Sequence, residues 1–416
     1  MFVAALLSVC LAPAPAAASG DWPEFRGPGG SGVYSGAPVV TGWGPDKNVA
    51  WSANVPGLGW SSPVVAAGKV FLTTAVPDDP DAPTAYSLRA LALDTADGKV
   101  VWDKELFRED VKADPSPHKK NSHASPTPVT DGEHVWVHFG HLGTACLTVA
   151  GEVVWRSTEN RYSPVHGGGA SPILVDNLLV FPCDGASDPY LAALDKTTGK
   201  TRWKTPRGTK GRYTFSFATC LLVEHAGKRV LVSPAAHVCV GVDPATGAEL
   251  WRVKYAQPGW SLISQPVYAH GLAFVATGYG DQKLLALPPG GSGDVTNSVV
   301  WKTARDAPNT PTPVAFGDEL YVVSDAGKLT CFDAKTGKVH YAERLAGRAY
   351  SSSPVVANGK LYITSEDGVG QVLATGTSYN PLTRSAMNER TFATPAPHAG
   401  ALYVRTETKL FKFAGK

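Results

Sequence analysis

Six of the 11 histidines of this 416-residue chain fall between His118 and His166, so metal ligation is the first chemistry to weigh. His134 and His138 share a face if they lie in one strand, but at roughly 3.3 Å per residue they stand about 13 Å apart, too far to hold one ion. His138 and His141 can approach each other around Gly140, yet no third or fourth ligand is signalled. These histidines therefore read as loop and surface residues. His166-Gly167-Gly168-Gly169-Ala170-Ser171 has the glycines of a phosphate loop but no lysine, and it precedes a strand where a phosphate loop would open a helix. Close backbone approach accounts for it better. No Gly-x-Ser-x-Gly elbow occurs, and no Ser/His/Asp set is marked by spacing. The residues thus nominate no catalytic group and no metal ligand.

A second set is spread over most of the chain: Trp60, His123, His166, Tyr213, Trp260, Asn309, Tyr350 and Arg390. Aromatic, amide and guanidinium side chains of this kind bind well when brought together. Each lies shortly before a copy of a recurring motif, so the repeat is what must position them.

That motif is a small residue, then proline or an equivalent, then apolar residues. It runs through Ser62-Pro63-Val64, Thr127-Pro128-Val129, Ser171-Pro172-Ile173 and Thr219-Cys220-Leu221, then Gln265-Pro266-Val267, Thr312-Pro313-Val314, Ser353-Pro354-Val355 and Thr394-Pro395-Ala396. Most copies are 41 to 48 residues apart; the first interval, 65 residues, contains insertions around 78–84 and 105–122. A second anchor pairs a turn with a tryptophan. Asp94 to Lys99 precedes Trp102, Asp195 to Lys200 precedes Trp203, Asp243 to Gly247 precedes Trp251, and Asp333 to Lys338 precedes Tyr341, with weaker versions ending at Trp155 and Trp301. Aspartate accepts backbone N–H groups within such a turn, and glycine supplies its positive φ. Units of about 45 residues with four short strands are propeller blades. The sequence predicts an all-β, eight-bladed propeller of four-stranded antiparallel blades. The tryptophans are expected to pack between blades, and the residues ahead of each first strand to gather at one mouth of the central channel.

The last blade has strand-like runs at 401–406 and 409–413, but the chain ends before its turn-tryptophan strand. Asn48-Val49-Ala50-Trp51 supplies the missing piece, so an N-terminal strand is expected to close the ring. The division expected is a leader at 1–18, an N-terminal arm at 19–47 and the propeller at 48–416. The leader reading rests on an uncharged apolar run, Phe2 to Leu11, followed by Ala16-Ala17-Ala18 before Ser19. A basic start is missing, and Val9 before Cys10 fits a lipoprotein signal poorly.

The run Ala193-Leu194-Asp195-Lys196-Thr197-Thr198-Gly199-Lys200-Thr201-Arg202-Trp203 resembles the repeat of pyrroloquinoline-quinone (PQQ) propellers. These include quinoprotein alcohol dehydrogenases and the propeller lipoprotein of the outer-membrane β-barrel assembly machine. The resemblance spans about residues 48 to 413, and the opening Asp21-Trp22-Pro23-Glu24-Phe25-Arg26-Gly27-Pro28 is similar to that of secreted PQQ-like proteins. It implies the fold more than any activity. The dehydrogenases carry adjacent cysteines against the quinone and a calcium ion held by acidic and amide side chains. No two cysteines are adjacent here, and no carboxylate cluster marks a calcium site. The resemblance implies the scaffold without the redox site, and no cofactor is expected.

Composition agrees with a β-rich protein: 43 glycines, 33 prolines, 11 tryptophans and two methionines. A net charge of +2 spread along the chain leaves no footprint for nucleic acid or an anionic membrane, and no apolar run is long enough to span one. Beyond the leader, five scattered cysteines are no disulfide framework, though a Cys220–Cys239 bridge stays open. The expectation is a monomeric, secreted or periplasmic, non-catalytic propeller that binds a protein or another cell-envelope partner. Its rivals are a PQQ-dependent oxidoreductase with a divergent site and a polysaccharide-binding or -cleaving propeller.

Overall fold

The computed structural model describes residues 20–112, 116–255 and 259–415, and so takes in all but the first residue of the expected arm; the leader reading at 1–18 lies outside the described residues. Eight antiparallel sheets follow one another, each starting at a short inner strand and ending at an outer one. Blade 1 comprises Val64–Ala66, Lys69–Pro77, Ala85–Asp94 and Val100–Asp110. Inner strands Val129–Thr130, Ile173–Val175, Leu221–His225, Val267–Ala269, Val314–Phe316, Val355–Ala357 and Ala396–His398 open blades 2 to 8 in order. Blade 4 gains a fifth strand, Gly293–Asp294, parallel to its outer strand Glu249–Lys254. That excursion occupies the place where blade 5 would carry its Asp-x-x-x-Gly turn.

The ring closes as the sequence predicts. Val49–Asn54 pairs antiparallel with Lys409–Phe413 and forms the outer strand of blade 8, with Trp51 opposite Lys412. Closure of this kind leaves no missing strand in the last blade and covers the edge of Lys409–Phe413.

Both sequence anchors turn out to be contacts between consecutive blades. Where the next blade carries the turn, the tryptophan ring lies on its turn glycine; Trp251, whose next blade lacks that turn, lies instead on Gly241 of its own blade. A Cβ placed at Gly151 would stand 2.6 Å from Trp102, one at Gly199 2.5 Å from Trp155, and one at Gly247 2.6 Å from Trp203. Only glycine leaves room for the ring, which is why the turn and the tryptophan recur together.

The small-residue anchors form a belt around the channel. The Ser62 N–H donates to Thr127 Oγ1 at 2.9 Å, Thr127 N–H to Ser171 Oγ at 3.0 Å, and Ser171 N–H to Thr219 Oγ1 at 2.9 Å. It continues from Gln265 to Thr312, Thr312 to Ser353, Ser353 to Thr394, and from Thr394 back to Ser62. The break falls where glutamine replaces the hydroxyl residue; Gln265 Nε2 donates instead to the Cys220 carbonyl at 3.2 Å. A buried N–H must find an acceptor, and here the neighbouring blade provides it.

The N-terminal arm crosses one end of the channel. Trp22 bridges to Val65 of blade 1, Pro23 O accepts the Thr130 N–H of blade 2, and Val33–Tyr34 runs parallel to Val356–Ala357 of blade 7. Its central tie is Arg26, fully buried, whose guanidinium donates to the carbonyls of Thr312, Pro313 and Pro354 at 3.2, 2.6 and 3.0 Å. Desolvation lowers the Arg26 pKa to about 9, which still leaves it a cation at neutral pH.

Candidate functional site

On the other side of the belt the channel opens into a cup of about 380 Å³, within the range of small-molecule sites. Its floor includes Phe25 of the arm and belt hydroxyls such as Ser62, Thr127 and Ser171. Its walls carry Trp60, Phe215, Phe217, Trp260, Ile263, Tyr279 and Phe392. The polar part of the wall includes His118, Lys120, Asn121 and His166, with the hydroxyls of Ser261, Thr310 and Ser351.

The loops ahead of the inner strands do converge here, but unequally. Trp60, His166 and Trp260 line the cup. Trp60 packs against Phe392 with centroids 4.5 Å apart, and the Arg390 guanidinium lies 5.0 Å from the Phe392 ring and 5.8 Å from that of Trp60. Arg390 itself stands outside the wall, half exposed, and pairs with Glu407 at 3.1 Å. Tyr213 stacks on Trp260 at 4.8 Å, and the Arg212 guanidinium lies 4.5 Å from the Tyr213 ring centroid. Tyr213 and Ser261 both hold left-handed backbone, φ 64° and 53°, a strained conformation that persists only where surroundings enforce it.

Three of the expected residues sit elsewhere. His123 points back to blade 1, where Nδ1 pairs with the buried Glu109 carboxylate and the ring lies 4.4 Å from Tyr86. Asn309 is buried and its N–H donates to Asp325 at 2.7 Å. Tyr350 is fully buried over Gly327; its hydroxyl donates to the Ala346 carbonyl and accepts from Gln371 Nε2 at 3.0 Å. Proximity to the motif in sequence says that a residue is near the mouth, not that its side chain faces the channel. Phe215 and Phe217 went unnoticed, although their alternation with Tyr213 is the pattern of an extended segment presenting one face. Tyr279 and Phe25 carried no such signal, because one comes from a short pairing with Gly259–Trp260 and the other from the arm.

The electrostatics of the cup are simple. Lys120 is the one formally charged side chain among its described lining residues. The Lys120 ammonium meets Glu366 Oε1 at 2.7 Å, and Ser351 Oγ donates to the same oxygen at 2.6 Å. His166 is lowered from its ordinary pKa by desolvation, with a smaller contribution from His118, whose ring is 5.5 Å away. Tyr279 is raised by desolvation and then by Asp325. Beneath the belt, burial pushes the Glu24 carboxyl up to about 7, partly offset by the Gly29 N–H that it accepts at 2.9 Å.

The residues present do not match a calcium-held quinone. Hard Ca²⁺ takes six to eight oxygens, carboxylates prominent among them, and no aspartate or glutamate is among the described lining residues. No group of three or more His, Cys, Asp or Glu is placed to hold a metal among the described residues. The clustered histidines form no metal site, and they are not all the surface residues the sequence suggests: His134 approaches Asp131, but His138 and His141 are buried, His138 against Phe181 and bonded to Thr144, its pKa lowered chiefly by desolvation to about 3. All five cysteines described, Cys220 and Cys239 included, are free and buried, and burial pushes their thiols up to about 12, where they are poor nucleophiles. No helix among the described residues is long and apolar enough to cross a membrane.

The fold is shared with proteins of different activity. BamB from Moraxella catarrhalis is 13% identical, with a TM-score of 0.55 over 83% of this chain and 98% of its own. The quinohemoprotein alcohol dehydrogenase of Comamonas testosteroni is also 13% identical, with a TM-score of 0.68 over 96% of this chain and 82% of its own. A europium-containing methanol dehydrogenase is 9% identical, with a TM-score of 0.68 over 95% and 98%. At such identities the likeness is one of fold. No curated protein matches the chain. Residues 45–235 and 292–413, most of the propeller, match the outer membrane protein assembly factor BamB family, and the chain belongs to that family of PQQ-like propellers.

Proposed function

We propose that this chain is a secreted or periplasmic, monomeric, non-catalytic propeller that binds a small, ring-bearing molecule in its central cup. The observation that carries this reading is enclosure. The channel is corked below by the arm, walled by aromatic rings and reached past a loop at 116–122, a shape that suits a small ligand better than a protein surface. The role is binding at the cell envelope, with a small molecule held in the cup rather than a protein docked across the mouth. Trp260 and Phe217 are the flat faces a ring would stack on, and such pairs add about 0.5–1.5 kcal/mol beyond area burial.

A thermal-shift screen of small cyclic metabolites, with PQQ tested with and without Ca²⁺, tests the proposal. Hits should stabilise the parent protein and lose at least tenfold in affinity in Trp260→Ala or Phe217→Ala. Calcium-dependent PQQ binding with dye-linked alcohol oxidation would place the protein among the redox propellers instead. Absence of any hit, together with an envelope protein bound at the mouth, would restore a scaffold role.

A further inference from the structure

The loop at 116–122 is a strap laid over the cup. Its near end is fastened to the start of blade 3: the His118 N–H donates to the His166 carbonyl at 3.2 Å, and Asn121 Nδ2 donates to the carbonyls of His166 and Gly168 at 2.7 and 3.1 Å. Its far end reaches Glu366, in the turn between Lys360–Thr364 and Val369–Ala374 of blade 7. Blades 3 and 7 face each other across an eight-membered ring, so the Lys120–Glu366 pair spans the mouth.

The two partners of that pair differ in freedom. Glu366 is held in place, with its N–H donating to the Ala349 carbonyl, its own carbonyl accepting the Thr391 N–H, and its carboxylate accepting Ser351 Oγ. Lys120 reaches it on a flexible stem and lines the cup, whereas Glu366 does not. A cation facing the cavity is therefore neutralised by an acid standing just outside it.

We propose that the cup takes an organic acid with a flat apolar body, whose carboxylate replaces Glu366 on Lys120. This rests on the small-ligand reading above and names the ligand's class. Charge decides it. An incoming carboxylate keeps Lys120 paired while Glu366 retains Ser351 and meets solvent. A neutral ligand must leave the pair as it is, and a cation meets a wall with no acid in it. His118 and His166, both in the wall beside Lys120, offer ring N–H donors to the second carboxylate oxygen. The apolar body then lies toward Phe215, Phe217 and Trp260, on the far side of the His166 ring, which is 5.3 Å from Phe215. Exchanging one acid for another on Lys120 also releases the far end of the strap from blade 7, so binding and opening of the mouth are one event.

The test compares matched acids and amides. Phenylacetate and indole-3-acetate are titrated by calorimetry against the parent, Lys120→Met and Glu366→Gln, with phenylacetamide and indole-3-acetamide as neutral controls. The acids should bind the parent at least tenfold more tightly than the amides. Lys120→Met should erase that preference and leave amide affinity within about twofold. Glu366→Gln, which frees Lys120 from its competitor, should strengthen acid binding several-fold and leave the amides unchanged. Equal binding of acids and amides, or acid affinity unchanged in Lys120→Met, overturns this inference alone. If neither acids nor amides bind, the small-ligand reading falls with it.

Discussion

The indole of Trp51 covers Gly98 so closely that a Cβ on the glycine would stand 2.6 Å from the ring, and Trp51 Nε1 donates to the Thr95 carbonyl at 3.0 Å. Trp51 belongs to the strand that completes blade 8, and Gly98 to the turn of blade 1. The contact that joins ordinary neighbours, such as Trp155 over Gly199, is thus reproduced where the two ends of the chain meet. Closure uses the same joint as Trp102 over Gly151, Trp155 over Gly199 and Trp203 over Gly247.

Trp51→Ala should cost about 3–5 kcal/mol, the usual price of emptying a buried aromatic site. Gly98→Ala should also destabilise, because its φ of 75° strains a residue with a Cβ and the indole fills the space beside it. Chemical denaturation measures both. The double variant should lose less than the sum of the two singles, since they damage one contact; full additivity would show that the joint does not act as a unit.

The belt predicts a polar cost without a packing cost. Ser171→Ala removes the acceptor for the buried Thr127 N–H, and an unsatisfied buried donor is worth about 1–3 kcal/mol. Ser171→Thr, which restores a hydroxyl like those at Thr127 and Thr219, should recover most of it. If alanine and threonine behave alike in denaturation, the belt contributes nothing to stability.

Arg26→Met keeps the length of the side chain but strips donors from three carbonyls of blades 6 and 7. With charged hydrogen bonds at about 1.5–3 kcal/mol each, the loss should be roughly 3 kcal/mol or more. Hydrogen exchange should then rise across 20–34 and the inner strands of blades 6 and 7 before it rises in blades 3 and 4. Uniform acceleration around the ring would argue that the arm is no local cork.

Glu24 gives a pH dependence whose sign is set by its raised pKa. The folded chain keeps this proton up to about pH 7, while the unfolded chain releases it near the ordinary value of 4.5. The folded state therefore binds the proton more tightly, and stability from this group is full below pH 4.5 and lost as pH rises towards 7. Glu24→Gln, which stays neutral and can still accept the Gly29 N–H, should match the parent near pH 4.5 and exceed it by roughly 1–3 kcal/mol at pH 8. Parallel stability curves for the two proteins would refute the shift.

Periodicity in this sequence carried the fold. Eight Ser/Thr-Pro-like anchors, repeated Asp-x-x-x-Gly turns with their tryptophans, and a blade short of one strand sufficed to predict eight blades closed by Asn48 to Trp51, because each feature is local and recurs at a regular interval. That the tryptophans pack between blades could be read from the sequence; which residue each Ser/Thr anchor or indole meets could not. Ser171 serves Thr127 across 44 positions once blades 2 and 3 pack, and Trp51 serves Thr95 across 44 more once the ring is closed. The site shows the same division. Trp60, His166 and Trp260 could be placed near the mouth from their spacing, since a strand's start fixes which end of the channel it occupies. Whether a side chain faces that channel depends on backbone torsions in irregular loops, so Tyr350 went into the core and His123 to Glu109. Phe25, Tyr279 and the Lys120–Glu366 pair, 246 residues apart, came together through the arm, a short extra pairing and a strap across the ring. Repetition is written in local sequence, but the cup is made where non-repeating segments meet, and only the closed fold brings them within reach of one another.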